Sequence, residues 1–187
     1  HKVSYGQREI ELTSTEFELL YFLAKNPGQV FSRSQFIEVA RSALKYCQHS
    51  EQELSLVILE FDDFSLADDK YSYESVLWVL KRALECCELN IRTNDKIGRL
   101  SENQFAMVLP GTDIDAAFKI AQKCQQQIAA IETVMSGTCF DVVVSAGVTN
   151  TVLSGFHLEK MLHDVAVALK TSRQEGSAKV TKFKYKH

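Results

Sequence analysis

The stretch Lys96-Ile-Gly-Arg-Leu-Ser-Glu-Asn-Gln-Phe-Ala-Met-Val-Leu-Pro110 decides the fold of this chain. Two apolar arms flank the polar tip Ser101-Glu102-Asn103-Gln104, a pattern that predicts a β-hairpin displaying four polar side chains at its turn.

Upstream of this hairpin, a helix is predicted from about Tyr73 to Cys87, with Val76, Leu77, Trp78, Leu80 and Leu84 in its apolar half. Before it, Leu54 to Phe61 (LSLVILEF) is a short run of branched residues, as expected of a central strand buried on both faces. An amphipathic helix from Ser34 to about Gln48 precedes that strand, with Phe36, Val39, Ala40, Ala43 and Leu44 on its stripe. Downstream, the spacing predicts a helix over 113–131, a strand over 140–148, a helix over 158–172 and a closing strand over 179–183. Strand, helix, hairpin, helix, strand, helix, strand is an α+β order, with helices against a mainly antiparallel sheet.

The 187 residues are 45% hydrophobic and 24% charged, which suits a globular chain with a packed core. A net charge of -3 supplies no basic field for nucleic acid or for an anionic membrane surface. The locally basic tail from Lys179 to His187 reads as a solvated last strand. No apolar run approaches the roughly 20 residues of a membrane span, and no signal peptide opens the chain, so a cytoplasmic location is expected. Cys47, Cys86, Cys87, Cys124 and Cys139 lack metal-ligand spacing and are odd in number, so reduced thiols are expected. The start at His1 suggests a piece of a longer polypeptide.

Several short motifs in order resemble the GGDEF domain, the bacterial diguanylate cyclase family. At the hairpin, Arg99, Phe105 and Pro110 fit the family pattern Arg-x-Gly-Gly-Asp/Glu-Glu-Phe followed by an apolar strand and proline, and the four tip residues depart from it. Arg33 and Phe36 persist from the family's opening motif, and Glu60-Phe-Asp62-Asp-Phe64 with Asp68-Asp69 resembles its first strand and following turn. Val143-Val-Ser145-Ala-Gly147-Val and His163-Asp164-Val-Ala166 resemble the late strand and helix. The resemblance implies a nucleotidyl-cyclase-like sheet over residues 27–187, preceded by an extension at 1–26.

The same resemblance implies that the cyclase chemistry is lost. The family's metal positions fall on Glu60 and Asn103, so a neutral amide stands where a divalent cation needs an anion. Gln104 repeats the loss of charge, while Ser101 and Glu102 replace glycines and put side chains where nucleotide and backbone approach. The guanine-reading positions are Asp68 and Leu77; leucine offers no acceptor. Ser65 replaces a phosphate-binding lysine, and a second such position falls on Thr171 or on Arg173, depending on register. No catalytic residue and no metal ligand are assigned. Glu60, Asp62, Asp63, Asp68 and Asp69 are read as a solvated acidic strand end and helix start.

One family site persists. Arg92-Thr-Asn-Asp95 matches the Arg-x-x-Asp motif that binds cyclic di-GMP in the family, nine and six residues before Ser101, and Lys123 stands where a second basic residue completes it. An arginine fork can donate to guanine O6 and N7, and a carboxylate can accept from guanine N1 and N2. The alternative is a local surface ion pair between Arg92 and Asp95. The reading is therefore a non-enzymatic receptor for cyclic di-GMP in a bacterial signalling protein. Its rivals are a protein-interaction or dimerisation module and a residual cyclase. Expected partners are the dinucleotide, adjoining signalling domains or a second copy, with no nucleic acid and no membrane.

Residues 1–35 carry a further resemblance. Glu11-Leu-Thr-Ser-Thr-Glu-Phe-Glu-Leu-Leu20 and Asn26-Pro-Gly-Gln-Val-Phe-Ser-Arg33 look like the opening of the winged helix of OmpR-type response regulators. A capped helix from Leu12 to Lys25 is expected there. The recognition helix and wing that DNA reading requires do not follow, so a helical cap on the next domain is expected instead.

Overall fold

The computed structural model describes residues 2–5, 8–11, 30–62, 73–131, 134–135, 138–139, 142–176 and 178–185. The predicted helix over 12–25 and the residues Asp63, Ser65, Asp68 and Asp69 lie outside them. Two short hairpins, β1 (Lys2–Tyr5) with β2 (Arg8–Glu11) and β7 (Val134–Met135) with β8 (Thr138–Cys139), form separate two-stranded sheets.

The main sheet has six strands: β3 (Val30–Phe31), β4 (Leu54–Phe61), β5 (Lys96–Arg99), β6 (Gln104–Pro110), β9 (Val144–Asn150) and β10 (Val180–Lys182). Their order is β10-β9-β4-β6-β5-β3. The three inner pairings are antiparallel and the two outer ones parallel, so the α+β expectation holds. The helices are α1 (Arg33–His49), α2 (Tyr73–Glu88), α3 (Ile114–Ala129), the single turn α4 (Thr151–Ser154) and α5 (Leu158–Gln174).

β4 organises the core because every one of its residues is buried and successive side chains point to opposite faces. Val57, Leu59 and Phe61 pack with Val79 and Leu80 of α2 and with Ala117, Ala121 and Cys124 of α3. Leu54, Leu56 and Ile58 pack on the other face with Phe36, Ala40, Leu44 and Cys47 of α1 and with Met161, Val165 and Leu169 of α5. By the same alternation Glu60 emerges on the α1/α5 face, which places a carboxylate beneath the last turns of α5.

Local chemistry sets these helices. α1 starts at a capping box in which Ser32 Oγ accepts from the Gln35 N–H and Gln35 Oε1 accepts from the Ser32 N–H. Asp113 caps α3 by accepting from the Ala116 N–H at 2.8 Å. On α2, Val76, Leu80 and Leu84 are buried as the spacing predicts, but Trp78 is 38% exposed. It lies two residues past Val76, about 200° around the helix, and so leaves the buried stripe.

Candidate functional site

The hairpin expected from the sequence forms as β5 and β6, with Arg99 opposite Phe105. Its tip is closed by its own polar groups. Arg99 donates from Nε to the Ser101 carbonyl at 2.8 Å and from a terminal nitrogen to the Glu102 carbonyl at 2.7 Å. Ser101 Oγ donates to Asn103 Oδ1 at 3.1 Å, and Asn103 Nδ2 donates to the Phe61 carbonyl at 3.3 Å. Asn103 therefore bonds the tip to the end of β4, while Glu102 is exposed.

Glu60 and Gln104 are partners in the β4–β6 register, so their side chains rise from the same face. Gln104 Nε2 donates to Glu60 Oε2 at 2.5 Å, and Arg173 of α5 pairs with Glu60 Oε1 at 2.6 Å. The same guanidinium reaches Asp62 Oδ1 at 3.2 Å, and Ser145 Oγ donates to Asp62 Oδ2 at 2.5 Å. The Glu60 and Asp62 side chains are only 9% and 4% exposed, which corrects the expectation of a solvated acidic strand end. The cause is α5, which lays Arg173 across both carboxylates. Of the two candidates for a second phosphate-binding position, Thr171 bonds the Val167 carbonyl of its own helix, and Arg173 faces Glu60.

These donors do not fit a divalent cation. Both carboxylates are held by an internal cation and by neutral donors, and the amide of Asn103 directs its nitrogen at a carbonyl. Among the described residues, no group of three or more His, Cys, Asp or Glu could hold a metal. Arg173 carries the positive charge that two nearly buried carboxylates require. Arg173→Met is expected to lower stability by about 2 kcal/mol, below the 3–5 kcal/mol of a fully buried pair because the arginine is half exposed. Adding Glu60→Gln should recover part of that loss in urea denaturation; no change in the single variant would show that solvent already balances the carboxylates. Of the guanine-reading positions, Asp68 lies outside the described residues, and Leu77 is helical with its side chain outside the description.

The second site lies in the turn between α2 and β5. Asp95 is 5% exposed; its Oδ2 accepts from the Arg92 N–H at 2.7 Å and its Oδ1 is buried without a partner. Burial raises the Asp95 carboxyl above the usual range, opposed by the Arg92 N–H and by the Arg92 and Lys96 charges. Arg92 is exposed and meets Asp95 through its backbone N–H, with its charge acting on the carboxyl from farther away. One oxygen of the carboxylate is thus taken by the turn's own backbone and the other is not. Lys123 is exposed on α3, one turn before Gln127, whose Oε1 accepts from Asn90 Nδ2 at 2.5 Å. That bond joins α3 to the segment leading into Arg92, a link between residues 37 apart that no local pattern signals.

A six-stranded mixed sheet with helices on both faces and a strand-tip site over its central strand is the architecture of nucleotidyl-cyclase-like domains. The model of the family "Diguanylate cyclase, GGDEF domain" matches residues 28–179, and the chain belongs to that family. It is 26% identical over 116 residues to the diguanylate cyclase DgcS of Shewanella oneidensis, an alignment covering 62% of this chain and 38% of that protein. Across this and four further curated relatives, the chain spans 14% to 38% of their length. The fold is similar to the active GGEEF domain of a diguanylate cyclase from Vibrio cholerae, with TM-score 0.77, 21% identity, and coverage of 84% of this chain and 100% of that one. It is also similar to the GGDEF domain of DgcB from Caulobacter crescentus, solved with c-di-GMP, with TM-score 0.76, 15% identity, and coverage of 82% and 91%.

The model "Transcriptional regulatory protein, C terminal" matches residues 7–46 and overlaps the first match at 28–46. The described part of that overlap folds as β3 and most of α1. There Phe36, Ala40 and Leu44 are buried against the six-stranded sheet, so α1 serves the cyclase-like core. Among the described residues, no helix is long and apolar enough to cross a membrane.

Proposed function

We propose that this domain is a catalytically silent GGDEF module of a signalling protein that binds cyclic di-GMP through Arg92 and Asp95, with Lys123 as the second basic residue. One contrast carries the reading: the signature tip satisfies its polar groups internally, while Arg92 is exposed and its backbone N–H holds a carboxylate with one bare oxygen. A buried acceptor without a donor is costly, and a guanine edge can supply an N–H group to it. Because Asp95 Oδ1 is closed to solvent, docking a base on it requires the turn to open. A GGDEF domain of similar fold, that of DgcB, was solved in complex with c-di-GMP, which supports the choice of ligand.

On this reading GTP has no productive seat. Its phosphates would meet Glu60 already paired with Arg173, and no carboxylate stands at Asn103 to hold the metal that neutralises a triphosphate. Incubation with GTP and Mg²⁺ is expected to yield no dinucleotide by chromatography. Product in proportion to protein would overturn the silent half of the proposal. Isothermal titration with cyclic di-GMP is expected to give saturable heat, and its absence at high ligand concentration would leave an interaction module as the function.

A further inference from the structure

A cleft of about 660 Å³ lies between α1 and the turn that carries Asp95, with Tyr46, Gln52, Asn94 and Lys96 on its walls and Val39 and Pro110 among its apolar lining. This is within the usual size range of small-ligand sites. Asn94 belongs to the Arg92–Asp95 turn itself, so the cleft adjoins the dinucleotide site proposed above. Tyr46 is 62% exposed, and among the described residues its ring has no aromatic or cationic partner. The side-chain amides of Gln52 and Asn94 likewise have no hydrogen-bond partner among the described residues. Lys96 is anchored by donating from Nζ to the Thr93 carbonyl at 2.5 Å and retains two further N–H donors.

From these features we infer that the cleft is a nucleobase subsite: Tyr46 offers its ring for stacking, Asn94 and Gln52 offer amides to the base edge, and Lys96 offers charge to a neighbouring phosphate. The inference rests on the receptor reading and extends it, because a cyclic dinucleotide has two bases and Arg92 with Asp95 accounts for one. An aromatic face and two unengaged amides around an apolar floor match a purine, which presents a π-face and a mixed donor and acceptor edge. The positive charge of Lys96 beside the cleft favours a phosphate-linked base over a neutral heterocycle.

Titration of cyclic di-GMP into the full chain tests this with Tyr46→Ala and Tyr46→Phe. Tyr46 is largely solvent-exposed on α1, so neither variant disturbs the core. Stacking on one base predicts affinity about 5- to 100-fold weaker in Tyr46→Ala and near wild type in Tyr46→Phe. Tyr46→Ala binding as tightly as the unsubstituted chain would overturn the subsite and leave the receptor reading standing. No binding by the unsubstituted chain would overturn both.

Discussion

Gly147→Ala is expected to be the most damaging glycine-to-alanine change among the described residues, costing about 3 kcal/mol or more and lowering the urea midpoint in proportion. A Cβ on Gly147 would stand 2.3 Å from the Val165 carbonyl oxygen and 2.6 Å from the Leu169 nitrogen, both in the α5 backbone. A flexible side chain could rotate away, but a helix backbone must move as a unit. That movement would loosen Val165 and Leu169 in the core and shift Arg173 away from Glu60 and Asp62. The β9 glycine thus sets the distance at which α5 covers the signature site. An unchanged midpoint would mean that α5 is not seated on β9 as described. Gly98 makes a comparable approach, where an added Cβ would stand 2.6 Å from Phe36 Cβ, but the contact there is with a side chain.

The second large effect is on binding. Asp95→Asn is expected to weaken cyclic di-GMP about 30- to 100-fold while leaving the protein no less stable at neutral pH. The amide oxygen can still accept from the Arg92 N–H, so the turn survives, but its nitrogen would confront guanine donors with another donor. The stability half follows from linkage. Burial raises the Asp95 carboxyl in the folded chain, so the folded state holds the proton to higher pH than the unfolded state. Stability contributed by the neutral form is present below the unfolded value, near 3.9, and is lost as pH rises through the folded value. Asparagine has no such loss, so the variant's stability should be flatter from about pH 4 upward. A variant that binds normally would remove Asp95 from the site. One that unfolds at neutral pH would show that the carboxylate's bond to the turn outweighs its burial.

Much of the fold was legible in the residues because it depends on short-range patterns. LSLVILEF at 54–61 is an eight-residue strand buried along its whole length, and the helix expected over 34–48 is observed at Arg33–His49. The strand expected over 140–148 is assigned at Val144–Asn150, with its first two predicted residues outside the description. The closing strand, expected to be solvated, instead buries Phe183 just after β10, while Lys182 pairs with Asp115 and lies over Phe118. Long-range packing decided that, against α3 at Lys182 and beside Lys160 of α5 at Phe183, and the local basic composition could not signal it.

The hairpin at 96–110, the loss of carboxylates at Asn103 and Gln104, and the Arg92–Asp95 spacing follow from residue identity alone, because side-chain charge and strand alternation are local properties. Which charges meet was decided by tertiary structure. Arg173 lies 113 residues from Glu60 and reaches it because α5 packs on β9 at Gly147; Tyr46 and Asn94 share a cleft because α1 lies beside the turn between α2 and β5. Such encounters depend on how elements stack around a sheet, a geometry that no window of neighbouring residues encodes.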